Sequence, residues 1–241
     1  MTGQYSKGGD PLGPPPRAQQ HTGARAGATL ARPHVFLPAD SEPSGPPLLL
    51  LHGTGGDEHD LLLLRDHLSP GAAALSVRGT VLENGMPRFF RRLREGVFDE
   101  VDLRLRVDEL ADFVRVASSR YEIADRSLVA AGFSNGANIA SAMLLQRPQV
   151  LAGAVLFAAM IPYAESPAAD LARVPVIISN GERDPMIPAA MTEQLAGQFR
   201  DRGATVTVLP HRGGHSIDPA VLPQVRRILR TAPLRQGPLP Q

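Results

Sequence analysis

Short, uninterrupted runs of apolar residues recur along the chain, and longer segments with a helical pattern separate them. The clearest run is PLLLLHG (47–53), which ends at a glycine. Comparable runs lie at 72–77, 127–133, 151–159, 174–181 and 204–210. A strand that is apolar on both faces is typical of a parallel sheet covered by helices on each side. These runs therefore predict a buried, helix-covered sheet.

The segments between these runs place apolar residues three or four positions apart. Such residues fall on one face of a helix, so they predict amphipathic helices. The positions are Leu103, Val107, Leu110, Val114 and Ala117, then Met191, Leu195 and Phe199, then Val221, Leu222, Val225, Ile228 and Leu229. Pro223 leaves the start of the last helix open. Strands that alternate with helices predict an α/β fold with a doubly wound, mostly parallel sheet and helices on both faces.

With 241 residues, the chain has the size of a single α/β domain. We predict that this domain occupies residues 29–231. Residues 1–28 and 232–241 are rich in proline and glycine, and this composition predicts flexible tails. No internal repeat divides the sequence between them.

Charge and cysteine content narrow the functional classes. The net charge of +1 creates no strong field toward nucleic acid or an anionic membrane, so neither partner is expected. The chain has no cysteine, which excludes a thiol nucleophile, disulfides and thiolate metal sites. No apolar stretch reaches the roughly 18 residues of a membrane span, and none has the pattern of a signal peptide. A cytoplasmic location is therefore expected.

One serine lies between two glycines where a predicted strand meets a predicted helix. In AAGFSNGANIASAMLL (130–145), Gly132 and Gly136 flank Ser134. This G-x-S-x-G pattern, with a strand before it and a helix after it, is the context of a nucleophile elbow. The tight turn strains the serine, favours glycine at both flanking positions and presents the hydroxyl above the sheet. The alternative is an ordinary strand-to-helix turn with incidental glycines.

A serine hydroxyl needs a base that takes its proton, and on a fold of this kind the acid and the histidine follow the serine in the chain. Only His211 and His215 come after Ser134. His215 is favoured because Gly213 and Gly214 let the backbone bring its ring close to the serine. His211 is expected to be a solvated loop residue.

The candidate acid is Asp184 in SNGERDPMIP, directly after a predicted strand. Its role would be to accept the Nδ1 proton of His215 and to stabilise the imidazolium. Glu182 and Asp201 are alternatives that are more simply interpreted as surface charges. Because Pro185 follows it, Asp184 also fits the pattern of a turn residue.

Acyl transfer also requires N–H groups that donate to the oxyanion of the tetrahedral intermediate. The backbone N–H of Asn135, directly after the serine, is one candidate. The loop LHGTGGDEHDL (51–61) supplies the second, the N–H of Thr54, because the adjacent glycines let its amides turn inward. His52 is expected to support this loop by a hydrogen bond. A phosphate-binding loop does not fit, since no Lys-Ser/Thr pair follows the glycines.

LHGTGGDE, GFSNGA, GERDPMIP and GGHS together resemble the serine carboxylesterase/phospholipase branch of the α/β-hydrolase superfamily, over about residues 33–231. Residues 78–103 further resemble a bacterial subgroup of predicted esterases near the hydroquinone-resistance hydrolases. The resemblance implies carboxylic ester hydrolysis without a cofactor or metal. By motif position it implies the nucleophile Ser134, the acid Asp184, the base His215 and an oxyanion hole formed by Thr54 and Asn135. Many esterases of this branch have a bulkier apolar side chain where this chain has Thr54.

The segment 79–102 is too long and too charged for a simple connection between a strand and a helix. We expect it to fold over the site and to wall one side of the substrate pocket. The expected pocket residues are Phe89, Phe90, Met160 and Met186. An exposed amphipathic excursion or a homodimer contact is the alternative.

Together these residues predict a serine hydrolase that cleaves small, short-acyl or aromatic carboxylic esters through an acyl-enzyme intermediate. The expected partner is a small-molecule ester. The same triad would also hydrolyse thioesters or lysophospholipids. The alternative from another class is a non-catalytic protein that binds a small ligand on the same scaffold.

Overall fold

The computed structural model describes residues 30–123 and 128–234. Its strands are β1 His34–Leu37, β2 Leu48–Leu51, β3 Ala74–Val77, β4 Val81–Glu83, β5 Met86–Arg88, β6 Arg92–Arg94, β7 Val97–Phe98, β8 Val129–Phe133, β9 Gly153–Phe157, β10 Pro175–Ser179 and β11 Thr205–Val208. Its α-helices are α1 Leu64–Leu68, α2 Glu100–Arg120, α3 Asn135–Gln146, α4 Ala189–Arg200 and α5 Leu222–Thr231. The predicted tail 1–28, and the predicted tail 232–241 from residue 235 onward, lie outside the described residues.

Seven of these strands form the central sheet, in the order β1-β3-β2-β8-β9-β10-β11. Strand β1 pairs with β3 in antiparallel orientation, and the other neighbours pair in parallel. This topology confirms the predicted α/β fold with a mostly parallel sheet. The sequence pattern does not indicate β1, because HVFL is short and only half-buried at the edge of the sheet.

Successive strand residues alternate between two apolar cores, one on each face of the sheet. In β2, Leu49 and Leu51 pack in the core that includes α2, α3 and α4, whereas Leu48 and Leu50 pack in the core that includes α1 and α5. All four leucines are fully buried. Helices therefore cover both faces, as predicted. In the described part of the chain, no helix is both long enough and apolar enough to cross a membrane.

The predicted helices form where the sequence supplies both an apolar face and a suitable first turn. The five apolar positions of the 103–117 stripe are all buried along α2. This helix begins after Asp99, whose carboxylate accepts a hydrogen bond from the Asp102 N–H (3.1 Å). Pro223 lies in the first turn of α5, where its missing N–H has no intrahelical partner to lose.

Residues 79–102, the hairpin segment, form two β-hairpins and the start of α2. Strands β4 and β5 pair around Asn84 and Gly85, which have φ angles of 53° and 77°. Positive φ at both positions is typical of a type I′ turn, for which Asn-Gly is favoured. Strands β6 and β7 form the second hairpin. Phe89 and Phe90, between the two hairpins, are fully buried in the core that includes α2 and α3, so the segment is anchored to the domain.

Candidate active site

Ser134 alone makes the turn from β8 to α3. Its backbone has φ 51° and ψ −113°, a conformation that residues with a side chain rarely adopt. A Cβ atom at Gly132 would lie 2.5 Å from the carbonyl oxygen of Gly136, and a Cβ atom at Gly136 would overlap the carbonyl oxygen of Leu51. Backbone atoms thus occupy the space of both side chains, which is the physical reason for the two glycines.

The hydroxyl of Ser134 lies at one end of a continuous hydrogen-bonded chain. Its Oγ atom is 2.9 Å from Nε2 of His215, and Nδ1 of the same ring is 2.7 Å from Oδ2 of Asp184. The Asp184 side chain is 0% exposed and the His215 side chain 23% exposed. The ring of Phe133 packs against His215, with 5.4 Å between the ring centroids. The fold therefore brings together the serine, histidine and aspartate that the motifs single out.

The loops that carry the aspartate and the histidine approach each other closely. A Cβ atom at Gly181 would overlap the carbonyl oxygen of Gly214, so only glycine fits at this contact. The second carboxylate oxygen of Asp184, Oδ1, accepts a hydrogen bond from the Met186 N–H (2.8 Å). Because each oxygen of this buried carboxylate has its own partner, the group is held in one orientation.

The other residues considered for the base and the acid have different surroundings. His211 is 5% exposed, so the expectation of a solvated loop residue is wrong. Its Nδ1 accepts a hydrogen bond from the Gly213 N–H (3.2 Å), and the ring therefore shapes the loop that leads to His215. Glu182 and Asp201 are exposed, which agrees with their interpretation as surface charges.

Among the described residues, neither of the two backbone amides expected to bind an oxyanion donates a hydrogen bond. Asn135 is the first residue of α3, where N–H groups lack an intrahelical partner. Thr54 lies in the loop between β2 and α1. Neither N–H group takes part in a backbone hydrogen bond within the part of the chain that the structure describes. Both amides are therefore available to an external acceptor.

His52 is a structural residue of this loop. Its Nδ1 donates to the carbonyl oxygen of Gly53 (2.6 Å), and its Nε2 accepts from the Gly79 N–H (2.9 Å). Burial lowers the pKa of His52 below its ordinary range, although the hydrogen bond to Gly53 acts in the opposite direction. A neutral ring fits both bonds, and it supports the loop as expected.

The expected pocket residues divide into two groups. Phe89 and Phe90 are fully buried and present no surface to a ligand, so in this structure they are packing residues. Met160 packs with Ala158 and Ile187, and partly buried side chains surround these three. We call this set the methionine cluster; its partly buried members are Phe98, Phe133, Met186 and Met191. The cluster includes the phenylalanine that packs on the ring of His215, so it borders the hydrogen-bonded chain.

Two residues near the site have no clear signal in the sequence. Phe133 packs on His215 and occupies the variable position before the serine, where the motif accepts many side chains. Arg88 is 4% exposed and donates from Nη1 to Oγ1 of Thr54 (2.8 Å). An arginine in a charged segment gives no indication of such a distant contact.

One group of side chains has the spacing of metal ligands. Ligand atoms of Asp57, Glu58 and His59 lie within 4.8 Å of one another. Arg78 forms a two-pronged ion pair with Glu58 and lies 3.6 Å from a carboxylate oxygen of Asp57. The guanidinium of Arg78 thus balances the negative charge of these two carboxylates.

A doubly wound sheet with a strained serine after a central strand defines an α/β-hydrolase. The family model described as Phospholipase/Carboxylesterase matches residues 81–232, and the chain belongs to this family. It is therefore an enzyme of the hydrolase class.

Relatives of known name and structure agree with this membership. MhqD of Bacillus subtilis (strain 168), whose name assigns it to the hydrolases, is 46% identical over 185 residues, which are 77% of this chain and 92% of MhqD. A carboxylesterase structure from Bacillus cereus is 42% identical with a TM-score of 0.80, over 84% of this chain and 95% of that chain. A carboxylesterase structure from Mesorhizobium loti is 29% identical with a TM-score of 0.78, over 84% and 96%.

Proposed function

We propose that this chain hydrolyses carboxylic esters, with Ser134 as the nucleophile, His215 as the general base and Asp184 as the acid that orients the histidine. The observation that carries the proposal is the continuous chain of contacts, 2.9 Å from Ser134 Oγ to His215 Nε2 and 2.7 Å from His215 Nδ1 to Asp184 Oδ2. These distances suit proton transfer from a hydroxyl to a base of fixed orientation. Membership of the Phospholipase/Carboxylesterase family supports the same chemistry.

In the first half of the proposed reaction, Ser134 Oγ bonds to the ester carbonyl carbon while its proton passes to Nε2 of His215. The carbonyl oxygen becomes an anion and accepts hydrogen bonds from the N–H groups of Thr54 and Asn135. The carboxylate of Asp184 stabilises the imidazolium. The bond between carbon and the leaving oxygen then breaks, the Nε2 proton passes to the alcohol, and the acyl group stays on the serine.

In the second half, water takes the place of the alcohol. His215 accepts a proton from this water while the water oxygen bonds to the acyl carbon, and the same two amides bind the new oxyanion. The bond to Ser134 Oγ then breaks, the proton returns to Oγ, and the carboxylic acid leaves. Each step uses only water and residues of this chain, and the free serine is restored.

The surroundings of the site favour an apolar substrate group. The methionine cluster contributes three thioether side chains, which adapt to acyl or aromatic groups of different shape. An apolar surface of this kind would bind a ligand mainly through the roughly 25 cal/mol gained for each Å² removed from water. We therefore propose small esters with a short acyl chain or an aromatic group as substrates.

The test is labelling with a fluorophosphonate probe, followed by intact-mass analysis and peptide mapping. We expect a single adduct on Ser134, formed when Oγ bonds to phosphorus and fluoride leaves. The His215→Ala variant should lose the adduct because its serine has no base. The matched control is His211→Asn, whose Oδ1 replaces the Nδ1 acceptor for the Gly213 N–H; it should label like the wild type.

Labelling of another residue, or an adduct that forms at the wild-type rate in His215→Ala, would remove the proposed roles. A folded wild-type protein without any adduct would favour the alternative of a ligand-binding scaffold.

A second candidate activity is hydrolysis of thioesters or lysophospholipids by the same three residues. The family description includes phospholipases, which is the observation that favours it. Paired oxyesters and thioesters of increasing acyl length separate the two activities. A maximum of kcat/KM at short oxyesters supports the esterase, whereas a maximum at long acyl chains supports the alternative.

A further inference from the structure

The hairpin segment binds both residues whose amides form the proposed oxyanion hole. Three consecutive residues of the segment, 87–89, contact Thr54, its neighbour Gly55 and Asn135. The three hydrogen bonds are Gly55 N–H to the Pro87 carbonyl oxygen (2.9 Å), Arg88 Nη1 to Thr54 Oγ1 (2.8 Å) and Phe89 N–H to Asn135 Oδ1 (2.7 Å). One short stretch of chain therefore holds the two sides of the hole at a fixed separation.

The guanidinium of Arg88 is fixed before it reaches Thr54. The side chain is buried, and its Nε–H donates to the carbonyl oxygen of Phe90 (3.2 Å). The Nε atom also lies 3.0 Å from Oε2 of Glu83 in an ion pair. Because the guanidinium is planar, these contacts of Nε set the orientation of the whole group, and in this orientation Nη1 donates to Oγ1 of Thr54.

The peptide plane that carries the Thr54 N–H is held from its other end, because the Gly53 carbonyl oxygen accepts hydrogen bonds from His52 Nδ1 (2.6 Å) and the Gly56 N–H (3.2 Å). Gly53, Gly55 and Gly56 surround Thr54, and Gly55 has a φ angle of 83°. Glycine loses more backbone freedom on ordering than any other residue, so contacts from outside this loop restrain it further. The Thr54 hydroxyl is such a contact point, and an apolar side chain at this position could not accept the bond from Arg88.

We propose that Arg88 is a positioning residue, which holds Thr54 so that its N–H points at the developing oxyanion. This inference rests on the proposed function, since the orientation of that N–H matters only if it binds the oxyanion. Arg88 itself does not touch the reacting atoms. A donor that is misplaced by about 1 Å can cost on the order of 10²-fold in rate, so loss of the contact should act on kcat.

The test compares Arg88→Met, Thr54→Val and the double variant in hydrolysis of para-nitrophenyl butyrate. Each single variant should lower kcat by about 10- to 100-fold with little change in KM. The double variant should be no slower than Arg88→Met, because both changes remove one contact. The inhibition constant of benzyl trifluoromethyl ketone, which forms an oxyanion on the serine, should rise by the same factor as kcat falls. Arg88→Lys keeps a donor and should recover part of the rate.

The controls separate positioning from folding. Arg92→Met removes the other arginine that pairs with Glu83 but contacts no residue of the loop, and it should keep the wild-type kcat. Arg88→Met leaves a buried carboxylate oxygen of Glu83 without its ion pair, which could destabilise the fold. The double variant Arg88→Met/Glu83→Gln also removes the carboxylate charge, so it leaves no unpaired buried charge.

A folded Arg88→Met/Glu83→Gln variant with wild-type kcat and wild-type ketone affinity would overturn the role of Arg88. Additive losses in the Arg88→Met/Thr54→Val pair would overturn it as well. Both outcomes leave the proposed function intact as long as Ser134→Ala is inactive. An active Ser134→Ala variant would instead overturn the proposed function, and the role of Arg88 with it.

Discussion

The elbow (residues 132–136) and the hairpin segment both shape the candidate site, but different constraints hold them. In the elbow, the carbonyl groups of Gly136 and Leu51 fill the positions that side chains at 132 and 136 would need. In the hairpin segment, the contacts reach far along the chain: Arg88 binds a residue 34 positions away, and Phe89 one that is 46 positions away.

This difference explains why the elbow has a recognisable sequence motif and the hairpin segment has none. A backbone that leaves no room for a Cβ atom restricts the position to glycine, and the restriction is visible as a motif. A hydrogen bond from an arginine or a backbone N–H restricts neither partner so strongly. We therefore expect changes at Ser134 to act on catalysis, and changes at the buried apolar residues of the hairpin segment to act on stability.

The largest effect is expected for Ser134→Ala, which removes the nucleophile and leaves the elbow backbone unchanged. We expect kcat for para-nitrophenyl butyrate to fall by about 10⁴-fold or more while the melting temperature stays close to that of the wild type. The control is Ser141→Ala in α3, whose buried hydroxyl has no hydrogen-bond partner among the described residues, and which should keep full activity. Comparable losses in the two variants would contradict the assignment.

Phe90→Ala should have the next largest effect, on stability. Loss of a fully buried phenylalanine should lower the free energy of unfolding by about 3–5 kcal/mol in chemical denaturation. The control is Leu82→Ala on the first hairpin, whose side chain is 71% exposed and which should change stability little. If Phe90 instead lines the substrate pocket, the variant would keep its stability and change acyl-chain preference.

Gly136→Ala tests the elbow directly. Because its Cβ atom would overlap the carbonyl oxygen of Leu51, we expect a loss of about 1–3 kcal/mol in unfolding free energy, together with lower kcat as the turn shifts. The control is Gly197→Ala in α4, where an added Cβ meets nothing within 4 Å. That substitution should stabilise the helix by up to about 1 kcal/mol. Equal behaviour of the two variants would show that the elbow tolerates a side chain.

The smallest effect concerns the link from His52 to the hairpin segment through the Gly79 N–H. Burial lowers the pKa of His52 in the folded protein, so below about pH 6.5 the unfolded chain takes up a proton that the folded one does not. Stability should therefore fall as pH decreases from 6.5 toward the lowered pKa, by at most about 1.4 kcal/mol per pH unit.

Denaturation curves of wild type and His52→Gln across this pH range provide the measurement. The variant should lose this part of the pH dependence, whereas His67→Gln, at an exposed position in α1, should follow the wild-type curve. A His52→Gln curve parallel to that of the wild type would contradict a buried, neutral histidine.

The sequence by itself determined the fold class and the strand that carries the serine. Strands buried on both faces are continuously apolar, and helices on a sheet have one apolar face; both patterns survive without tertiary information. The glycines at 132 and 136 can also be predicted from the sequence, because the clash that requires them arises between one turn of backbone and its neighbouring strand. The order of serine, aspartate and histidine along the chain follows from the strand order of the same fold.

Only the tertiary structure decided how the remaining residues are used. His211 and His215 lie four positions apart in one loop, yet one ring is buried and the other reaches Ser134 Oγ. Phe89 and Phe90 enter the core, although an aromatic pair in a charged segment equally suits a pocket wall. These outcomes depend on which side of a loop or hairpin faces the domain, and no local pattern encodes that orientation. The contact from Arg88 to Thr54 is decided in the same way, because it exists only after two distant segments have packed together.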